Sequence, residues 1–172
     1  KRVELIPIRM DYLSDMHEYS TMPEFFKFLE YEEFASMKET ENYLKELVRI
    51  SEVGNGHYWF IKLLNENKVV GTFDIINVDQ KRNSCEIGYG ISPKFWKKGL
   101  FSEVIRYVIP ELFERYCIHR IFVKTHVDNL GSIKGLEKNG FRKEGIMRDY
   151  YLTTDGRRVD ACLLSKINED TL

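Results

Sequence analysis

Three lysines and a glycine crowd the stretch "PKFWKKGLFSEVIRYV" (93–108). Lys94, Lys97 and Lys98 bring point charges, and Gly99 precedes a run of helical periodicity. The first amides of a helix have no acceptor inside it and point at whatever lies ahead. Together with the macrodipole they carry roughly half a positive charge. A pyrophosphate suits such a place. The stretch is not a Walker loop, because the glycine spacing and the Lys-Ser/Thr pair of that motif are absent. Phe101 shares a stripe with Val104, Ile105, Val108 and Leu112. A residue on that stripe is expected to face a sheet, so it does not block a phosphate loop. Taken alone, these residues fit a basic surface loop as well as an anion site.

Other chemistry finds less support. His17, His57, His119 and His126 have no HxxxH spacing, and no CxxC pair accompanies them, so no metal site is expected. Cys85, Cys117 and Cys162 are isolated, each in an apolar segment, and are expected to be buried free thiols in a reducing cytoplasm. Gly88 and Gly90 are not a dinucleotide fingerprint, since a strand continues there and no helix opens.

The elements that must position the loop follow from periodicity. "VELIPIR" (3–9) reads as a first strand, and residues 11–20 and 39–53 read as helices, the second with start signals at Ser36–Glu39 and Thr40–Tyr43. "HYWFIKLL", "VVGTFDIINV" and "CEIGYGIS" are strand-like and separated by the turns "NENK" and "KRNS", an antiparallel meander. In the first, Trp59, Ile61 and Leu63 alternate with Tyr58, Phe60 and Lys62. In the last, Cys85, Ile87, Tyr89 and Ile91 share one face, and Glu86, Gly88 and Gly90 the other. The period then turns helical, with Pro110 expected to bend or break the helix because it cannot donate to Arg106. "HRIFVKTHV" (119–127) is a strand again, which suggests a right-handed parallel crossover. "DNLGSIKGLEKNGF" is a short helix that Asp128 or Asn129 can cap and Asn139–Gly140 can stop. "MRDYYLTT", the turn Asp155–Gly156 and "RRVDACLLSKI" form a closing hairpin. The expected fold is α+β, a mixed and mostly antiparallel central sheet flanked by helices on both faces, in one domain spanning 1–172.

Composition bounds the partners. The 172 residues are 43% hydrophobic and 31% charged, with formal net charge -1. That balance favours neither nucleic acid nor an anionic membrane. No stretch approaches the roughly 20 apolar residues needed to span a bilayer. The first residues lack a continuous apolar core, so secretion is not expected and a cytoplasmic location is.

Residues 84–166 resemble the acetyl-CoA-binding half of the GNAT acetyltransferase superfamily, in the branch of ribosomal-protein N-terminal-alanine acetyltransferases and their relatives. "EIGYGISPKFWKKGLFSEVIRYV" resembles that branch's strand, loop and helix. "DNLGSIKGLEKNGFRKEGIMRDYY" resembles its Asn-x-x-Ser helix and Glu-Lys-x-Gly-Phe turn, and "DGRRVDACLLSK" its closing hairpin. The resemblance implies direct acetyl transfer from acetyl-CoA to a primary amine, with no metal. It implies that Lys97, Lys98, Gly99, Leu100, Phe101 and Ser102 receive the pyrophosphate on their amides. Tyr89, Gly90 and Ile91 would pair with the pantetheine arm, and Asn129 would hydrogen-bond it while also capping its helix. Glu86 matches the strand glutamate that serves some members as base; its other reading is a glutamate pairing across the meander. Ser132 matches a serine proposed to protonate the leaving thiolate; its other reading is a hydroxyl satisfying helix amides. Tyr150 and Tyr151 lie where relatives place acceptor-site or proton-transfer residues, and Tyr151 is taken as catalytic here.

The aromatic and acidic stretch 21–35 is the expected acceptor wall, within an acceptor side of about 11–53. Phe25, Phe26, Phe28, Tyr31 and Phe34 would line a pocket, and Glu24, Glu30, Glu32 and Glu33 would attract a cationic amine. An amphipathic helix packed on the sheet is the competing reading. The acceptor would be a protein N-terminal α-amine, or a small amine such as an amino sugar or polyamine. An α-amine, with a pKa of about 7.8, needs less help from a base than a lysine near about 10.4. A monomer or a homodimer is expected. The alternative to an enzyme is a non-catalytic CoA-binding or regulatory module of the same fold.

Overall fold

The computed structural model describes residues 1–54 and 56–169. Positions 55 and 170–172 of the expected domain 1–172 lie outside the described residues. One sheet holds seven strands: β1 (Val3–Pro7), β2 (His57–Leu63), β3 (Lys68–Asp79), β4 (Ser84–Ile91), β5 (Arg120–His126), β6 (Arg142–Leu152) and β7 (Arg158–Ile167). Their order is β1-β2-β3-β4-β5-β7-β6. Every neighbouring pair is antiparallel except β4 and β5, which the helical crossover makes parallel. The closing hairpin inserts its second strand next to β5.

Helices α1 (Leu13–Ser20), α2 (Pro23–Phe26) and α3 (Met37–Glu52) lie within the stretch 11–53 expected to form the acceptor side. Met16, Tyr19, Leu44 and Leu47 from this group bury against Phe60 and Val69. α3 starts where Ser36 accepts from the Glu39 amide at 3.3 Å and the Glu39 carboxylate accepts from the Ala35 amide at 2.9 Å. The second apolar cluster joins α4 (Leu100–Pro110) and α5 (Leu130–Lys138) to Phe73, Cys85, Ile87 and Ile121. β2 thus has a core on each side. The alternation expected for it holds: Trp59, Ile61 and Leu63 face one cluster, and Tyr58 and Phe60 face the other.

Leu100, Val104, Ile105 and Ile109 anchor α4 to the sheet. Burying each is worth roughly 1.5–3 kcal/mol relative to exposure, which fixes the height of the helix start. Pro110 acts as expected on the ladder. It gives Arg106 no donor, and the helix passes into a π-helical turn at Glu111–Arg115. The expected burial of all three cysteines is corrected at Cys117. The chain turns back there with a left-handed φ of 52°, and the thiol is exposed while Cys85 and Cys162 are buried.

Two features of register matter for the site. Along β3 and β4 the pairs run from Ile76 opposite Glu86, through Asp74 opposite Gly88, to Gly71 opposite Ile91. Between β4 and β5 the ladder has only three pairs and ends at Glu86 opposite Phe122. Beyond that point the two strands part, and among the described residues no strand lies beside the β5-side edge of β4 over Ile87–Ile91.

Candidate active site

The parting of β4 and β5 opens a cleft, and α4 begins at its end. A 3-10 turn at Pro93–Phe95 leads to Trp96, whose indole donates to the Ile91 carbonyl at 2.6 Å and folds the loop back onto β4. Gly99 is the N-cap residue, with φ 77° and no side-chain cap. Among the described residues, the amides of Leu100, Phe101 and Ser102 find no acceptor; the first intrahelical bond runs from Glu103 to Gly99. Lys97 and Lys98 are exposed beside them. Free amides at a helix start next to two lysines fit a pyrophosphate. The open edge of β4 fits an extended arm that pairs with backbone, as a missing strand would.

Arg2, which carries no sequence signal for this role, clamps the same loop. Its guanidinium donates to the Lys98 carbonyl at 2.9 Å and to Glu103 at 2.8 Å. Ser102 turns its hydroxyl to Asn139 at the end of α5, at 2.9 Å, and leaves its amide to the cleft. Phe101 does more than face the sheet. Its ring lies 4.1 Å from the Tyr89 ring, and a Cβ on Gly135 of α5 would meet it at 3.2 Å. The bare glycine makes room for an aromatic where a small residue would otherwise sit.

Across the cleft, Asn129 caps α5 by accepting from the Ser132 amide at 3.2 Å. Its side-chain amide is unpartnered among the described residues and faces the cavity. Ser132 and Tyr89 share a hydrogen bond of 2.6 Å. Burial raises the Tyr89 pKa, which keeps its hydroxyl protonated near neutrality.

A cavity of about 340 Å³ adjoins the cleft, with Gly88, Tyr89 and Gly90 on one border and Val123, Lys124 and Thr125 on the other. The five aromatics expected as its wall all line it. They interlock, with Phe26 5.2 Å from Phe25 and 5.6 Å from Phe34. The tip of the Phe25 ring points at Gly90, where a Cβ would come within 2.6 Å of it. Phe28 contacts His126 at 5.3 Å, and Tyr31 contacts Tyr43 at 6.3 Å. Only α2 is helical in this stretch, so the long amphipathic helix weighed as an alternative does not form.

The acidic half of the expectation is corrected. Glu24, Glu30, Glu32 and Glu33 are exposed, and none lines the cavity. The irregular segment turns Phe28 and Phe34 inward, leaves Tyr31 at the rim and turns its carboxylates to water. Glu30 instead accepts from the Leu152 amide at 2.8 Å and straps the segment to β6. Glu86 is buried and also off the cavity wall. Asn77 donates to it at 2.7 Å and Lys124 pairs with it at 2.9 Å, so its carboxylate is engaged across the sheet. Tyr151 lines the cavity, stacked parallel to His126 at 6.4 Å, and burial raises its pKa. Tyr150 meets it edge-on and accepts from Lys124 at 2.6 Å.

The acid that does line the cavity is Asp74. It projects from β3 over Gly88, where a Cβ would stand 2.3 Å from its carboxylate. Burial, aided by the charge of Glu86, raises its pKa to about 7. Its sequence signal was a lone acid in the apolar run "VVGTFDIINV", opposite a glycine in the neighbouring strand.

The comparisons with known proteins agree with this geometry. The family model of the acetyltransferase (GNAT) domain matches residues 2–142. The chain is 26% identical over 170 residues to a Bacillus licheniformis protein described as an uncharacterized N-acetyltransferase, p20, covering 99% of this chain and 95% of that one. It is 30% identical over 118 residues to the Escherichia coli [ribosomal protein uS5]-alanine N-acetyltransferase, covering 68% of this chain and 60% of that one. Among solved structures, the microcin C7 self-immunity acetyltransferase MccE, in complex with acetyl-CoA and AMP, superposes with a TM-score of 0.87 at 20% identity, covering 98% and 93% of the two chains. With most of its length matched by that domain, its seven-stranded sheet and its parted β4 and β5, the chain belongs to the GNAT acetyltransferase family.

Proposed function

We propose that this chain acetylates a primary amine, with the cleft between β4 and β5 receiving acetyl-CoA and the aromatic cavity receiving the amine. The observation that carries the reading is the shared border of the two spaces. Gly88, Tyr89 and Gly90 edge both the cleft and the cavity, so a thioester in one meets an amine in the other. Acetyl-CoA, when bound, supplies the acetyl thioester. The amides of Leu100, Phe101 and Ser102, with Lys97 and Lys98, would hold its pyrophosphate. Tyr89, Gly90 and Ile91 would present backbone to its arm, and Asn129 its free side-chain amide. Ser132, which shares a hydrogen bond with Tyr89, would protonate the leaving thiolate. Phe28, Tyr31 and Tyr151, which line the cavity, would surround the acceptor, and Tyr150 would support Tyr151 from outside the lining. Glu86 would hold Lys124 in place beside the cavity.

The acceptor is a protein N-terminal α-amine or a small amine. The E. coli relative named for ribosomal protein uS5 supports the first, and the aromatic lining of the cavity supports the second. A cytoplasmic location is part of the same reading, supported by three unpaired cysteines. The test is calorimetric titration with acetyl-CoA, followed by thiol release against a panel of amines. The reading predicts binding and amine-dependent release. Binding without release by any amine favours a non-catalytic CoA-binding module, and no binding overturns the cofactor assignment.

A further inference from the structure

We infer that Asp74 is the proton acceptor of this site, and that it selects an acceptor carrying one ammonium on a compact apolar or aromatic body. The inference deepens the acetyltransferase reading and rests on it for the acetyl donor. Four observations carry it.

Among the described residues, Asp74 is the single carboxylate lining the cavity. It accepts no hydrogen bond and forms no ion pair among the described residues, while the neighbouring Glu86 is engaged by Asn77 and Lys124. The place it occupies exists only because Gly88 has no side chain. Gly88 also lies on the open edge of β4, which starts at Ile87, so the carboxylate sits beside the border between cleft and cavity.

The surroundings define what the carboxylate can receive. Tyr58 faces it from β2, Tyr43 from α3 and Tyr31 from the segment after α2. Glu86 faces it from β4, and Lys124 and His126 stand in the β5 wall of the cavity. An ammonium therefore meets one anion inside a ring of aromatic faces, which favour a cation near them. A second ammonium on the same molecule would find no carboxylate in the lining, and Lys124 would repel it.

The step balances with the acetyl thioester as co-reactant. The Asp74 carboxylate takes one proton from the ammonium and leaves a neutral amine. The amine nitrogen bonds to the acetyl carbon, and the carbon–sulfur bond breaks with its electron pair on sulfur. The thiolate takes a proton through Ser132 and Tyr89, replaced by the second nitrogen proton. Asp74 returns its proton to water. A base whose own pKa lies near the working pH suits this task, and Asp74 has been raised to about 7.

The experiment uses the whole chain and two probes, phenethylamine with one ammonium and spermine with several. In carbon-13 NMR of the protein without acetyl-CoA, the Asp74 carboxyl is identified by its loss in Asp74→Asn. It should titrate near neutrality and shift on addition of phenethylamine. A midpoint in the ordinary carboxylate range, or no response to the amine, overturns the inference whatever the cofactor does. In turnover, phenethylamine should be used at least about tenfold better than spermine. Asp74→Asn should lower kcat at pH 7 by about 100-fold, recovering toward pH 10 as free amine appears, with acetyl-CoA affinity unchanged. Gly88→Ala, which pushes the carboxylate aside, should reproduce the loss in milder form. Equal use of both amines, or an Asp74→Asn pH profile parallel to wild type, overturns it. Loss of acetyl-CoA binding in the wild type would instead strike the cofactor reading and leave the NMR result to decide on Asp74.

Discussion

The cleft and the cavity lie side by side, yet they are built from different materials. The cleft is made of backbone: the free amides of Leu100, Phe101 and Ser102 and the unpaired edge of β4. The cavity is made largely of side chains drawn from β2, β3, β5, β6, α1, α2, α3 and the segment after α2. A backbone site tolerates many residues, because any non-proline residue offers the same amide. A side-chain site depends on which strand residue faces which across the sheet. That register decides whether a carboxylate is paired, as Glu86 is, or free, as Asp74 is.

The largest break in this comparison should come from Asp74. In the folded chain it keeps its proton up to about pH 7, whereas unfolded it would lose it near pH 4. The native state holds the extra proton between those values, so this group lowers stability as pH rises through that window. Asp74→Asn should therefore melt later than wild type at pH 8, by up to about 4 kcal/mol, and gain nothing at pH 4. Thermal melts at the two pH values check this. A gain that does not depend on pH would mean the carboxylate is not strained by burial. The result would set stability against activity at one residue.

Phe101→Ala probes the seam between the regions. The ring is packed between Tyr89 and Gly135, and its loss should cost about 2 kcal/mol, or roughly 4–8 °C in melting temperature. Gly99→Ala tests the backbone half alone. A Cβ there has open space, 3.6 Å from the Arg2 guanidinium, but φ 77° costs a non-glycine residue about 1–2 kcal/mol. Acetyl-CoA affinity should fall roughly 5- to 30-fold by calorimetry, with kcat at saturation nearly unchanged. A loss confined to kcat would place the strain in the cavity instead. Tyr89→Phe should be smallest. It removes one hydrogen bond to Ser132, worth about 0.5–1.5 kcal/mol, and should slow thiol release without altering amine KM.

The same contrast explains what could be read from the chain before its fold. The order of elements, the helix start at Gly99 and the cap at Asn129 were legible, because each rests on local spacing or local chemistry. So was the aromatic wall, since five rings within ten residues must bury somewhere. The role of Phe101 was half legible: its stripe was visible, but the bare Gly135 that receives it lies on another helix. The placement of Glu24, Glu30, Glu32 and Glu33 was not legible, because an irregular segment has no period to tell inside from outside. Asp74 was hidden for a different reason. Its meaning depends on Gly88 opposite it and on Glu86 being occupied by Lys124, and both are facts of cross-strand register. Arg2 shows the same limit, since its clamp on Lys98 and Glu103 spans about a hundred residues of sequence. Pro110 and Cys117 show how local breaks propagate, the first into a π-helical turn and the second into an exposed thiol.

The most direct test of the two-part site is a mass-spectrometric assay of acetylated product, with acetyl-CoA and a panel running from peptide N-termini through spermine to phenethylamine. The account predicts one acetyl group transferred per thiol released, with the single-ammonium aromatic amine preferred. Binding of acetyl-CoA with no acetylated amine anywhere in the panel would contradict it.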